Sequence, residues 1–149
     1  MNQSSVQSIS EAACQCGAVQ VTCLGAPKRV SICHCLECKA RTGSAFGHQA
    51  WWLAEKVSVS GVQSSWLRTA DSGYGVRYHF CPRCGTTTSL ALDSRPGYVG
   101  IPAGSFDPAL QFDLSHSVYE HRQVDWLEVT APDIERTSTP STLRKWHAQ

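Results

Sequence analysis

Three tight cysteine groups dominate the chemistry this chain can do: Cys14-x-Cys16-Gly17, Cys33-His34-Cys35-Leu36-Glu37-Cys38, and Cys81-Pro82-Arg83-Cys84-Gly85. Cysteines this close in sequence point their sulfurs at a common point, a geometry that suits a metal better than separate disulfides. Cys81-Pro82-Arg83-Cys84-Gly85 has the form of a knuckle in which backbone N–H groups face the thiolates and Gly85 takes up the positive φ of the turn. One knuckle supplies two ligands, and a closed tetrahedral site needs two more. Cys14 and Cys16, also followed by a glycine, are the obvious source. Pairing the two groups predicts a staple that closes a loop of about 65 residues across the domain.

The central group offers three thiols within six residues. Cys33, Cys35 and Cys38 fill three positions and leave the fourth for water or substrate, the pattern of catalytic zinc. A second structural zinc with a distant fourth ligand is the competing expectation. His34 lies between two ligands and is expected to project away from the metal. Cys23, the leftover thiol of the eight, reads as a small core hydrophobe, with a fourth ligand or a resolving thiol as the alternatives.

The other polar signals are weaker. His48, His79, His116 and His121 are scattered and read as surface or structural histidines. Trp51-Trp52 with Trp66 reads as core. Arg41, just after the triad, is either a contact for an anionic substrate group or a solvated charge.

These motifs need elements to hold them. Val19–Cys23, Ala45–Leu53, Lys56–Ser60, Ser65–Ala70, Val76–Phe80, Thr86–Leu92 and Tyr98–Pro102 are short runs rich in Val, Thr, Tyr, Phe and Trp, punctuated by Gly and Pro. They predict strands, and only Leu36–Thr42 predicts a helix. The fold class expected is mainly β, small antiparallel sheets with little helix. With 149 residues the chain suits one domain with short tails. A flexible polar leader is expected over residues 1–11, the zinc-binding domain over 12–133, and a tail containing Trp146 over 134–149.

Composition sets outer bounds. Thirteen Lys plus Arg against twelve Asp plus Glu leave a charge of +1, which gives no electrostatic reason to expect nucleic acid or an anionic membrane as partner. No apolar run approaches the roughly 18–20 residues of a membrane span. Met1–Ser10 lacks the basic and apolar regions of a signal peptide. The expectation is a cytoplasmic protein, where thiols stay reduced.

Taken together, Cys14-Gln15-Cys16-Gly17-Ala18-Val19, the run from Cys33-His34-Cys35-Leu36-Glu37-Cys38 through Lys39-Ala40-Arg41-Thr42-Gly43-Ser44-Ala45-Phe46, and Phe80-Cys81-Pro82-Arg83-Cys84-Gly85-Thr86 resemble the glutathione-dependent formaldehyde-activating enzyme (Gfa) family. The resemblance covers about residues 12 to 133, with His116–Trp126 similar to the family's closing strand and Trp. It implies a beta-tent of small antiparallel sheets stapled by zinc. It implies a structural zinc on Cys14, Cys16, Cys81 and Cys84, and a second, labile, catalytic-type zinc on Cys33, Cys35 and Cys38, so two ions per chain. The activity implied is a carbon–sulfur lyase reaction, formation of S-hydroxymethylglutathione from glutathione and formaldehyde or handling of a related thiol–aldehyde adduct. Cys23 stands outside the family's cysteine set. Two other classes compete: a non-enzymatic zinc module that binds a partner, and a thiol-redox enzyme of the methionine sulfoxide reductase B type. That last class carries a catalytic Cys late in the chain, and here none follows Cys84.

Overall fold

A computed structural model describes residues 7–108 and 112–138. Short strands dominate because β-branched and aromatic residues recur at spacing two between glycine turns. In chain order they are β1 (Ile9–Ala13), β2 (Gln20–Leu24), β3 (Arg29–Cys33), β4 (Gly47–Leu53), β5 (Val57–Ser60), β6 (Ser64–Thr69), β7 (Gly75–Phe80), β8 (Thr87–Leu92), β9 (Tyr98–Pro102), β10 (His116–Val118) and β11 (Glu135–Thr137). The α-helix among the described residues, α1 (Leu36–Thr42), sits between β3 and β4. Residues 36–42 and 98–102 adopt the elements expected of them.

The protein is mainly β, with two sheets. Strands β1-β2-β5 form a small antiparallel sheet, and the larger sheet runs β11-β10-β3-β4-β9-β8-β7-β6. Its ladders are antiparallel except at β10, which lies parallel to both β3 and β11. No helix among the described residues is long and apolar enough to cross a membrane.

Both ends differ from the sequence expectation. Ile9–Ala13 pairs with β2 along its whole length, so the polar leader gives way to a strand before residue 11. Its alternate residues Ser10 and Ala12 are buried, and the ladder to β2 outweighs weak local propensity. At the other end Glu135–Thr137 pairs with β10, so ordered structure continues past residue 133. Residues 1–6 and 139–149, with Trp146, lie outside the described residues.

The core forms where the small sheet lies on the larger one. Ala12, Val21 and Cys23 meet Val30, Ala50, Trp52 and Ile101, closed by Phe106. Trp52 packs against Phe106 with ring centroids 5.5 Å apart and planes tilted by 39°, and Phe112 meets both rings edge-on. Trp51, the preceding residue of β4, points to the opposite face. There it packs with Val76 and Tyr78 of β7 and Leu90 of β8. Because β9 and β8 intervene between β4 and β7 in the sheet, that contact requires the sheet to curl. The curl forms a cavity of about 140 Å³ lined by residues of β3, β4, β6, β7 and β8, the start of α1 and the end of β10.

Candidate metal centre and its cavity

The first cysteine pair and the last are built alike. Cys14 N donates to Val19 O at 3.0 Å and Cys81 N donates to Thr86 O at 3.0 Å. The turns are closed by Gly17 N to Cys14 O and Gly85 N to Cys81 O, each 2.9 Å. Gly17 and Gly85 hold φ of 79° and 74°, the left-handed region a β-carbon resists. Gln15 N donates to Thr86 Oγ1 at 3.1 Å and ties the two knuckles together.

The four sulfurs of Cys14, Cys16, Cys81 and Cys84 all lie within 4.8 Å of one another. Cys14–Cys16 and Cys16–Cys81 are each 3.7 Å apart. A tetrahedron of thiolates about 2.3 Å from zinc has edges of about 3.8 Å, so the set fits that ion; a disulfide needs about 2.05 Å. The Thr86 hydroxyl and its backbone N–H draw the Cys84 thiol down to about 5, and Val19 N–H donates to Cys14 Sγ at 3.2 Å.

The triad sits at a strand-to-helix turn. Cys33 ends β3, Cys35 caps α1 by accepting from Cys38 N at 3.3 Å, and Cys38 lies one turn on. The three sulfurs also lie within 4.8 Å of one another, and no fourth His, Cys, Asp or Glu joins them among the described residues. Hydrogen bonds from Cys33 and Cys38 hold the Cys35 thiol far below its usual range. The hydrogen bonds that Cys33 makes with Cys35 and Cys38, and then burial, push Cys33 far above it. Three thiolates so close resist common ionisation until a cation joins them, and a soft, all-sulfur set of this size suits zinc. All three cysteines line the cavity, while the four-cysteine group lies outside that lining.

His34 turns away from the triad, as expected. It is fully buried, its Nε2 lies 3.0 Å from Ser117 Oγ on β10, and its ring meets Phe46 edge-on. None of His48, His79, His116 and His121 joins a metal-type cluster among the described residues. Cys23 is fully buried in the core between the sheets, and burial pushes its thiol up to about 12. It therefore belongs to the packing and to neither cysteine cluster.

Two expectations need correction. Arg41 is not a solvated charge: its guanidinium lies 5.5 Å over the Tyr78 ring, with Nε and Nη2 buried. A β-carbon at Gly47 would stand 2.5 Å from Gln49 Nε2, 3.0 Å from Arg41 Nη2 and 3.2 Å from Cys38 Cβ, so the missing side chain makes room for both donors beside the triad. Trp66 is not core: it is 58% exposed on edge strand β6, stacked against Tyr78. Trp51 is buried yet forms part of the cavity wall, and its Nε1 donates to Ser31 Oγ at 3.1 Å.

The structure adds cavity residues that sequence reasoning does not single out: Arg29, Gln49, Arg68, Arg95 and Tyr119. Tyr119 holds a left-handed φ of 57° right after β10, a conformation that costs a non-glycine residue about 1–2 kcal/mol. Lys39 of α1 donates to the Arg122 carbonyl just beyond it, which fastens the helix to that segment. Only the alternation Arg29-x-Ser31-x-Cys33, three residues on one side of a strand, could have pointed to Arg29 in advance.

A curled β protein with two thiol clusters, one of four sulfurs and one of three opening on a cavity, has the donor sets of a metal-binding fold. The family that matches residues 9–122 is the glutathione-dependent formaldehyde-activating enzyme family, and the chain belongs to it. A crystal structure of a Rhodobacter sphaeroides protein is similar in fold, with a TM-score of 0.51 at 22% identity, over 66% of this chain and 88% of that one. No curated protein matches the chain.

Proposed function

We propose that the chain is a zinc-dependent enzyme of the carbon–sulfur lyase type, acting on glutathione and formaldehyde or a related thiol–aldehyde adduct. The observation that carries this reading is that Cys33, Cys35 and Cys38 line a cavity with no fourth protein ligand among the described residues. Family membership supports the glutathione and formaldehyde chemistry. Cys14, Cys16, Cys81 and Cys84 take the structural role in this reading, a staple for the fold.

A zinc ion bound by the triad supplies a positive centre that lowers the pKa of a thiol or polarises an aldehyde oxygen. The chain's own residues do the rest. Trp51, Val76 and Leu90 give the cavity apolar walls that exclude water, and Arg41 and Gln49 set positive and amide donors beside Cys38. The reaction forms one bond from the thiol sulfur to the aldehyde carbon. The carbonyl electron pair moves to oxygen, and the thiol's proton ends there, so no oxidant is needed.

A redox reading needs a reactive thiol outside the two clusters. Cys23 is the remaining one, and its full burial and raised pKa oppose that role. A purely structural module shares every cysteine, so the test must address the triad. Zinc should be counted in the native protein, and glutathione should be titrated into a cobalt-substituted form while S-hydroxymethylglutathione formation is followed above the uncatalysed rate. About two metals per chain and a glutathione-dependent change in the cobalt spectrum are expected. A Cys38→Ser chain with full zinc content and full rate overturns the reading.

A further inference from the structure

Gly47 leaves a space beside the triad that two donors share. It pairs with Cys33 across the β3–β4 ladder, and Gln49 pairs with Ser31. Residues two apart on a strand share a face, and the Gln49 side chain lies back over Gly47. A β-carbon at Gly47 would meet Gln49 Nε2 at 2.5 Å, Arg41 Nη2 at 3.0 Å and Cys38 Cβ at 3.2 Å. The amide of Gln49 and the guanidinium of Arg41 thus crowd one point, against Cys38 and opposite Cys33.

Both groups are held in place. Arg41, in the last turn of α1, lays its guanidinium over the ring of buried Tyr78. Gln49 is 3% exposed and lines the cavity together with Cys33, Cys35 and Cys38. Gln49 Nε2 and Arg41 Nη2 are buried with no hydrogen-bond partner among the described residues. Two donors turned on one point leave both unsatisfied, a desolvation cost that a carboxamide can avoid. It carries an acceptor and a donor of nearly the same shape on one carbon, and its last torsion is broad and roughly two-fold. A half-turn brings Oε1 to Arg41 Nη2 and sends the NH₂ group toward the cavity.

We propose that Gln49, oriented by Arg41, is the catalytic donor to the aldehyde oxygen. This rests on the reading of the triad as the place where thiol and aldehyde meet. As the thiol sulfur bonds to the aldehyde carbon, the carbonyl π pair moves onto oxygen. That oxygen carries growing charge until the proton given up by the thiol reaches it. An N–H aimed at it binds the transition state more strongly than the aldehyde. Arg41 is the positioning residue: by donating to Oε1 it fixes which end of the amide faces the cavity, and it polarises the N–H bonds. A carboxylate in the same place would repel the forming charge and offer the triad a fourth metal ligand.

The donor is read in two independent ways. In full-length zinc-loaded protein, Gln49→Met keeps the length of the side chain and removes the donor. It should lower kcat for S-hydroxymethylglutathione formation about 100-fold, the scale of one lost oxyanion donor, while KM for glutathione stays as in the parent. Arg41→Met should lower kcat by a smaller factor. In the unaltered protein labelled with nitrogen-15, S-formylglutathione has a carbonyl oxygen on the carbon next to sulfur and should shift the Gln49 NH₂ protons downfield. S-methylglutathione lacks that oxygen and should leave them in place. A folded Gln49→Met chain with the parent kcat overturns the proposal, and so does an NH₂ pair that responds alike to the two ligands. Should Gln49→Met not fold, the NH₂ comparison decides alone. If Gln49→Met turns over like the parent while glutathione still changes the cobalt spectrum, the donor fails and the thiol reading stands. If the NH₂ pair picks out S-formylglutathione while the parent shows no rate above the uncatalysed one, the lyase reading fails and the oxygen-binding role of Gln49 stands.

Discussion

Cys16 and Cys81, separated by 65 positions in the chain, bring their sulfurs to 3.7 Å. Neither belongs to a regular element: the first follows β1 and the second follows β7. The two sheets are thus joined at their cysteine turns, where Cys14, Val19 and Cys81 make a small buried cluster of their own.

A ligand that closes a loop of that length removes chain entropy from the unfolded state, by about 4 kcal/mol on the loop-closure relation used for cross-links. Cys81→Ser should therefore lower stability by at least that order and release one metal, with the remainder of the loss coming from the binding energy of the ion itself. Denaturant unfolding, run beside metal quantification, checks it. Cys81→Ser with unchanged stability and metal content would remove the staple from the argument.

Cys23 makes the contrasting case. It faces Val57 across one ladder and Ser10 across the other, within the apolar core. Cys23→Ser buries a hydroxyl there and should cost about 1–3 kcal/mol while leaving metal content untouched. Because burial holds the native thiol at about 12, a thiol reagent at neutral pH should modify Cys23 only after denaturant is added. Rapid labelling of the folded chain at Cys23, read by peptide mass, would contradict this placement.

Much of this was legible in the sequence because cysteine spacing carries its own geometry: the knuckles and the triad appear as the motifs imply. Helix α1 was legible too, since Gly43 stops it with φ of 63° and its N–H on Lys39 O. β1 was hidden because ISEAA is polar and small, and only its pairing with β2 makes it a strand. β3 was hidden for the opposite reason. Covered on both sides, with four of its five residues buried, it shows no alternation of polar and apolar types. Arg29 and Arg95 were out of reach of composition, because arginine is rarely buried. Their convergence depends on how the sheet curls, which no local pattern encodes.

That curl rests on Trp51 lying over Gly100, its partner across the β4–β9 ladder. A β-carbon at Gly100 would stand 2.8 Å from the indole ring. Gly100→Ala should push Trp51 toward the cavity, strain its bond to Ser31 and cost about 1–3 kcal/mol, the usual range for overpacking. The expected readings are a lower denaturant midpoint and an altered tryptophan emission spectrum. An unchanged spectrum with unchanged stability would mean that the ring does not bear on this glycine.

His48, on β4 opposite Ile32, links stability to pH. Burial holds its imidazolium below the ordinary value of 6.5, so the unfolded chain takes up a proton there before the folded chain does. Its contribution is complete above 6.5 and is lost as pH falls through 6.5 toward the folded value. The denaturant midpoint should therefore drop between about pH 7.5 and about pH 5.5, and drop less in a His48→Gln chain, which has no proton to gain there. Protonation of cysteine ligands lowers stability in the same direction, but it acts on parent and variant alike. The difference between the two slopes isolates His48, and parallel slopes would show that its burial does not govern the titration.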